Sequence, residues 1–275
     1  MTYAAILTHV QADAHAAPRL VCAHDLAVRF NARLIGVGIE MIQPLAFDEG
    51  LYAASAEWAI AMRSSVEARL AGAERLFRQH TVDLARDKQA WMSGMQMPCP
   101  ALTNASRAAD LIVAGGAPRT DNDPYRTASP AELAMQAGRP VLVAPAVGGP
   151  LSAQNVIIAW KDTREARRAL SDALPFLQQA RAVEVIEICD ADSRDDALIR
   201  IDDVADALRR RGIAATAKIL EGGAPARLIQ AEALAFGADL VVMGCYGHTR
   251  LGEWVFGGVT RDLLAQDQVH LLLSH

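Results

Sequence analysis

The sequence predicts an α/β protein built from two copies of a doubly wound, five-stranded parallel-sheet domain. Short apolar runs alternate with stretches of helical period along the whole chain. The segment Ala109-Asp-Leu-Ile-Val-Ala-Gly115 returns as Ala238-Asp-Leu-Val-Val-Met-Gly244, 129 residues further on. The same offset, carried forward without a gap, sets Pro140–Ala144 against Val269–Leu273. A repeat of this length, present twice, marks a duplicated domain, since a solenoid shows a shorter period and more copies. Strands alternating with helices require parallel strands joined by right-handed crossovers. With 275 residues, 52% of them hydrophobic, the chain can bury two ordinary cores. The expected domains are residues 1–147 and 152–275, separated by Val147-Gly-Gly-Pro-Leu151.

In the first half, Ala4–Thr8 is apolar enough for a strand, and Leu20, Ala23, Ala27 and Phe30 recur at helical spacing. Arg33–Ile39 follows as a second strand. Trp58, Met62, Val66, Leu70 and Ala73 place one apolar face on a long helix. A short strand near Gln89–Met92, a helix around Ala101–Ala109 and a fourth strand at Asp110–Ala114 come next. A helix starting near Ser129–Pro130 and a strand at Pro140–Ala144 close the unit.

The second half repeats the order. A strand at Val156–Ala159 leads to a helix striped by Ala166, Ala169, Leu170, Ala173, Leu174 and Leu177, with Thr163 as its N-cap. Val183–Ile188 forms a strand, and a helix through Ile201, Val204, Ala205 and Leu208 stops at Gly212. Ala214–Leu220 is a strand, Pro225–Phe236 a helix, and Leu240–Met243 the strand that leads into the glycine-rich segment.

Composition excludes several function classes. A net charge of −5 with 21% charged residues argues against a polyanion-binding surface, so nucleic acid is not an expected partner. Only Lys88, Lys161 and Lys218 are lysines and none follows a glycine, which rules out a P-loop; no Gly-x-Ser-x-Gly elbow occurs either. Cys22, Cys99, Cys189 and Cys245 form no Cys-x-x-Cys pair, and the first residues lack the basic start and apolar stretch of a signal peptide, so a cytoplasmic location with free thiols is expected. No apolar run approaches the roughly 20 residues of a membrane span.

Binding chemistry concentrates after the strand Leu240–Met243, where Gly244, Gly247 and Gly257 lie between a strand and a helix. Glycine lets the main chain approach a ligand without a Cβ, and the N–H groups of Gly258, Val259 and Thr260 would point at an anion from the first helical turn. His248 and Arg250 would add charge-assisted contacts. In open parallel sheets ligands sit beyond the carboxyl ends of strands where the strand order reverses, and this loop follows such an end. The same glycines also suit a plain strand-to-helix turn. Trp160 and Trp254 flank the pocket, positioned either to stack on a base or to fill the core. Cys245 and His248 lack a third orienting group, which argues against nucleophilic catalysis.

This glycine-rich segment resembles the nucleotide loop of the universal stress protein (UspA-like) family, and the resemblance covers nearly the whole chain. It implies an adenine nucleotide alpha hydrolase-like fold and a non-enzymatic regulatory or protective role in the stress response. It implies ATP, ADP or AMP in the second domain, with Mg if a triphosphate, and neither a catalytic residue nor a metal site of the protein's own. The implied contacts are Gly244, Gly247, His248, Arg250, Gly257, Gly258, Val259 and Thr260 at the phosphates, Asp162 at the ribose, and Trp160 and the main chain near Ile188 at the base. In this family the domains pair through their last strands, which would join Pro140–Ala144 to Val269–Leu273, and two chains can pair further as a homodimer.

The chain also departs from the family pattern. Gly258 stands where nucleotide-binding members carry a serine or threonine, and Thr260 is the nearest substitute hydroxyl. Lys161 stands at an aspartate position, leaving Asp162 to accept a ribose hydroxyl. In the first half Pro118 and Ala128 replace Gly247 and Gly257, Val10 falls at the aspartate position, and Asp110, Asp121 and Asp123 would repel a phosphate, so no triphosphate site is expected in residues 1–147. Two alternatives stay open: an interaction module without a nucleotide, and a slow nucleotide hydrolase in which His248 or Asp162 positions water.

Overall fold

The structure is a computed structural model that describes residues 2–11, 13, 16–43, 52–116, 123–147, 149–245, 258–265 and 268–275. The first half carries β1 (Ala5–His9), α1 (Ala16–Phe30), β2 (Arg33–Ile39), α2 (Tyr52–His80), β3 (Gln89–Gly94), α3 (Pro98–Ala105), β4 (Leu111–Gly115), α4 (Pro130–Gln136) and β5 (Val141–Ala144). The second carries β6 (Asn155–Trp160), α5 (Arg164–Leu177), β7 (Ala182–Cys189), α6 (Arg194–Arg209), β8 (Ala215–Glu221), α7 (Pro225–Phe236), β9 (Leu240–Gly244), α8 (Gly258–Leu264) and β10 (His270–Ser274). The helix expected over Ala101–Ala109 starts earlier, because Pro98 takes its first turn, and ends as a 3-10 turn at Ser106–Ala108. Thr163 and Ser129 cap α5 and α4, each accepting from the main-chain N–H three residues on.

These ten strands lie in one sheet of order β3-β2-β1-β4-β5-β10-β9-β6-β7-β8. Pairing is parallel within each half, and β5 meets β10 antiparallel, with Leu142 opposite Leu272. That contact uses up two edges that would otherwise recruit other chains. Strand residues alternate between two cores. Ile6, Leu34, Val113, Leu142, Ile158, Val185, Val242 and Leu272 pack with α1, α2, α5 and α6, whereas Leu7, Ile35, Ile112, Val143, Ile157, Ile186, Val241 and Leu271 pack with α3, α4, α7 and α8. Helices on both faces explain why the strands are apolar throughout.

Aromatic rings tie the halves together on the first face. Phe176 of α5 is fully buried against Tyr3 and Phe30 of the first half, at centroid distances of 5.3 and 5.5 Å. The Tyr3 hydroxyl donates to the Asp172 carbonyl at 2.6 Å.

Asp110 and its repeat partner Asp239 do the same work in both halves. Asp110 accepts from the Ala4 and Ala5 N–H groups at 2.8 and 3.0 Å, and Asp239 accepts from Gln154 and Asn155 at 2.8 and 3.2 Å. Asp110 is therefore fastened at the amino ends of β4 and β1, at the far side of the sheet from the crevice, and does not face a phosphate there as its spacing suggests.

Candidate functional site

In the second half the strand order reverses between β6 and β9, which pair directly, with Ala159 opposite Met243. Their carboxyl ends, at Trp160 and Gly244, open the crevice that this topology provides for ligands. A Cβ on Gly244 would lie 2.7 Å from the Ala166 nitrogen and 2.7 Å from the Glu165 carbonyl carbon, so the first turn of α5 is packed onto bare main chain. Glu165 is buried there. Burial pushes its carboxyl up, but hydrogen bonds from Arg164, its own N–H and Thr163 hold it below the usual range. Arg164 also reaches His275, whose ring contacts the Cys245 carbonyl at 2.9 Å. Gly258 opens α8 exposed to solvent, and a Cβ added to it would meet no atom of the described residues within 4 Å.

The sequence signature of the universal stress protein family matches residues 152–273. This half of the chain belongs to that family. Over both halves, the fold is similar to that of a universal stress protein from Archaeoglobus fulgidus DSM 4304, at 17% identity and a TM-score of 0.72, covering 98% of this chain and 95% of the other. It is also similar to a functionally unknown protein from Pseudomonas aeruginosa PAO1, at 16% identity and a TM-score of 0.58, covering 99% and 92%. No curated protein sequence matches the chain.

Within the universal stress protein domain, the structure sorts the residues singled out from sequence. Gly247, His248, Arg250 and Gly257 lie outside the described residues, as does Trp254. Gly244, Asp162 and Gly258 stand at or just beyond strand ends or at a helix start, and Ile188 lies on the neighbouring β7, half-buried against the second core. Asp162 is paired with Arg167 at 2.6 Å, so a ribose hydroxyl would compete with that guanidinium. Trp160 is buried in the first core, its indole nitrogen without a partner among the described residues, which removes it from base stacking. Strand alternation turns it inward.

Thr260 is also buried, and its hydroxyl bonds to the Cys245 thiol, so it does not replace the hydroxyl missing at Gly258. Burial pushes that thiol up to about 12, which denies Cys245 a nucleophilic role. Val259 packs its side chain toward the second core, leaving only its main chain for a ligand. Among the described residues, no group of three or more His, Cys, Asp or Glu side chains could hold a metal ion, and no helix is long and apolar enough to cross a membrane.

The first half presents its own crevice at the carboxyl ends of β1 and β4, a cavity of about 190 Å³. Sheet register corrects one sequence alignment here. Ile6 opposes Leu111 as Val156 opposes Leu240, so Val10 corresponds to Trp160, and Gln11 rather than Val10 corresponds to Lys161. Both Val10 and Trp160 are core residues; Gln11 lines the cavity. Beside it, buried Glu40 is gripped by Arg69 through contacts of 2.9 and 3.0 Å from Nε and lies 3.3 Å from Arg126. Sequence reasoning misses Arg19, Glu40 and His9, all buried, because a charged or polar residue is expected at the surface by default.

Two glycines at matching strand ends give a test of packing. Gly244→Ala is expected to destabilise the protein by about 2 kcal/mol, since backbone atoms must move, whereas Gly115→Ala meets only the far end of Arg19 and should cost about 1 kcal/mol or less. Urea denaturation of the two variants checks the order; equal losses would contradict it.

Proposed function

We propose that this protein is a non-enzymatic stress-response protein, regulatory or protective, whose second half binds an adenine nucleotide, with Mg if it is a triphosphate. The observation that carries this reading is the family match over residues 152–273. The crevice supports it: β9 ends on Gly244 beside the first turn of α5, and Gly258 starts α8 with no atom of the described residues within 4 Å of an added Cβ. Contacts from Gly247, His248, Arg250 and Gly257 belong to the same proposal, together with Asp162 and the main chain of Ile188, Val259 and Thr260. So do a cytoplasmic location, which four free cysteines support, and a dimer of two chains.

Thermal melting with and without ATP and Mg tests it. A ligand at a thousand-fold excess over its Kd adds about 4 kcal/mol of stability. Gly258→Ser restores the hydroxyl of nucleotide-binding relatives where an added Cβ meets no atom of the described residues within 4 Å, and one added hydrogen bond should tighten binding about 3- to 10-fold. An unchanged melting temperature in both proteins would favour the interaction module, and steady phosphate release would favour the hydrolase.

A further inference from the structure

The sheet ends on β3 at one side and on β8 at the other, and the two edges are built differently. β8 carries Lys218 and Glu221, ion-paired with Glu232 of α7 and Arg194 of α6, and charges along an edge keep other strands away. The stretch Gln89-Ala-Trp-Met-Ser-Gly-Met-Gln-Met97, which contains β3, holds no charged residue and no proline. Met92 is 48% exposed, and Ser93 is exposed beside it. Among the described residues β3 pairs with β2 alone, and the Glu40 N–H donates to the Gly94 carbonyl at 3.4 Å. Main-chain groups alternate sides along a strand, so those of Ala90, Met92 and Gly94 face β2 and those of Trp91 and Ser93 face outward. Gln89 faces outward too, but its N–H is taken by the Arg86 carbonyl.

We propose that β3 pairs antiparallel with β3 of a second copy of this chain, about a twofold axis through Met92. The outward groups choose this register. Setting Trp91 opposite Ser93 of the other copy uses both outward groups of each residue and closes about four main-chain hydrogen bonds. Centring on Trp91 would set Ser93 against Gln89, whose N–H is spent, and centring on Ser93 would set Trp91 against Met95, past the end of the strand. Met92 then meets its own copy across the axis, so an exposed apolar side chain is covered by its equivalent. Electrostatics permits the contact. Arg86, Asp87 and Lys88 precede the strand, and in this register they run alongside Pro98, Met97 and Gln96 of the other copy, so like charges do not meet. The inner edges β5 and β10 are already joined to each other, so the sheet can grow only at β3 or β8, and a twofold contact closes at two copies. This gives a surface to the dimer of the reading above; it rests on that pairing of chains and on no nucleotide.

Analytical ultracentrifugation of the full chain tests the contact. The parent should show a monomer–dimer equilibrium with a Kd between about 1 and 100 µM, the range of a small interface. Met92→Lys sets two lysines face to face at an exposed position, and Ser93→Pro removes an outward N–H from an edge strand. Each should weaken association at least about 10-fold while the far-UV circular dichroism stays that of the parent. Met92→Cys reads the register, because directly opposed residues of a non-hydrogen-bonded pair have Cα atoms about 4.5 Å apart, within disulfide reach. Under mild oxidation it should crosslink at least about 10-fold faster than Ser93→Cys, whose copies stand diagonally, with the parent as control for the native cysteines. A parent that stays monomeric to about 300 µM overturns both this surface and the dimer. A dimer that Met92→Lys leaves as tight as the parent overturns the surface alone, and crosslinking at Ser93→Cys as fast as at Met92→Cys overturns the register.

Discussion

Lowering the pH from 7 to 5 will remove about 4 kcal/mol of stability, through two histidines that the fold keeps neutral. His9 is pulled from 6.5 to about 4 by burial and by the positive charge of Arg19, opposed in part by the Ile39 carbonyl and Asp13. His270, on the strand at the junction of the halves, is pulled to about 4 by burial, with Asp239 opposing. Both folded values lie below the unfolded one, so their contribution is complete above pH 6.5 and is lost as pH falls toward about 4. Within that window each histidine contributes a slope of up to about 1.4 kcal/mol per pH unit. Glu184 acts in the opposite sense, since burial and the Glu232 charge raise its carboxyl and let the folded state take up a proton earlier. Urea titrations at the two pH values measure the loss, and His9→Gln with His270→Gln should flatten it. Equal stability at pH 5 and 7 in the parent would show that the rings are charged inside the fold.

Phe176→Ala should cost about 4 kcal/mol, the usual range for a fully buried phenylalanine, with loss of its contacts to Tyr3 and Phe30 included. The ring stands on α5 but its aromatic partners belong to the first half, so the variant loosens the packing between halves as well as one helix. Denaturation followed by tryptophan fluorescence reads the effect. A loss below about 2 kcal/mol would mean that Tyr3 and Phe30 close the gap, as cores that relax can do.

Much of the architecture is legible in the residues because buried parallel strands are apolar on both faces and stand out from helical periods. The 129-residue offset holds in the structure at Asp110 and Asp239 as well as at Gly115 and Gly244. What the aspartates do is not legible, since spacing along a chain does not say which end of a strand a side chain will serve. A one-residue slip at Val10 hides Gln11, because period-2 alternation leaves the register of a short apolar run undetermined until its neighbours are known. Trp160 and Thr260 stand near the crevice as their spacing implies, but they turn inward instead of outward. Arg19 is hidden by its own chemistry. Its apolar neighbour in the helical stripe, Leu20, gives no sign that the guanidinium is buried beside it.

The antiparallel seam between β5 and β10 reverses strand polarity halfway across the sheet. The crevice of the first half therefore opens on one rim of the slab and that of the second on the rim opposite. No single small molecule can bridge them, and whatever occupies one is hidden from the other by the length of the strands. The two crevices face away from each other, and the shortest packed route between them runs through the ladder where Leu142 faces Leu272.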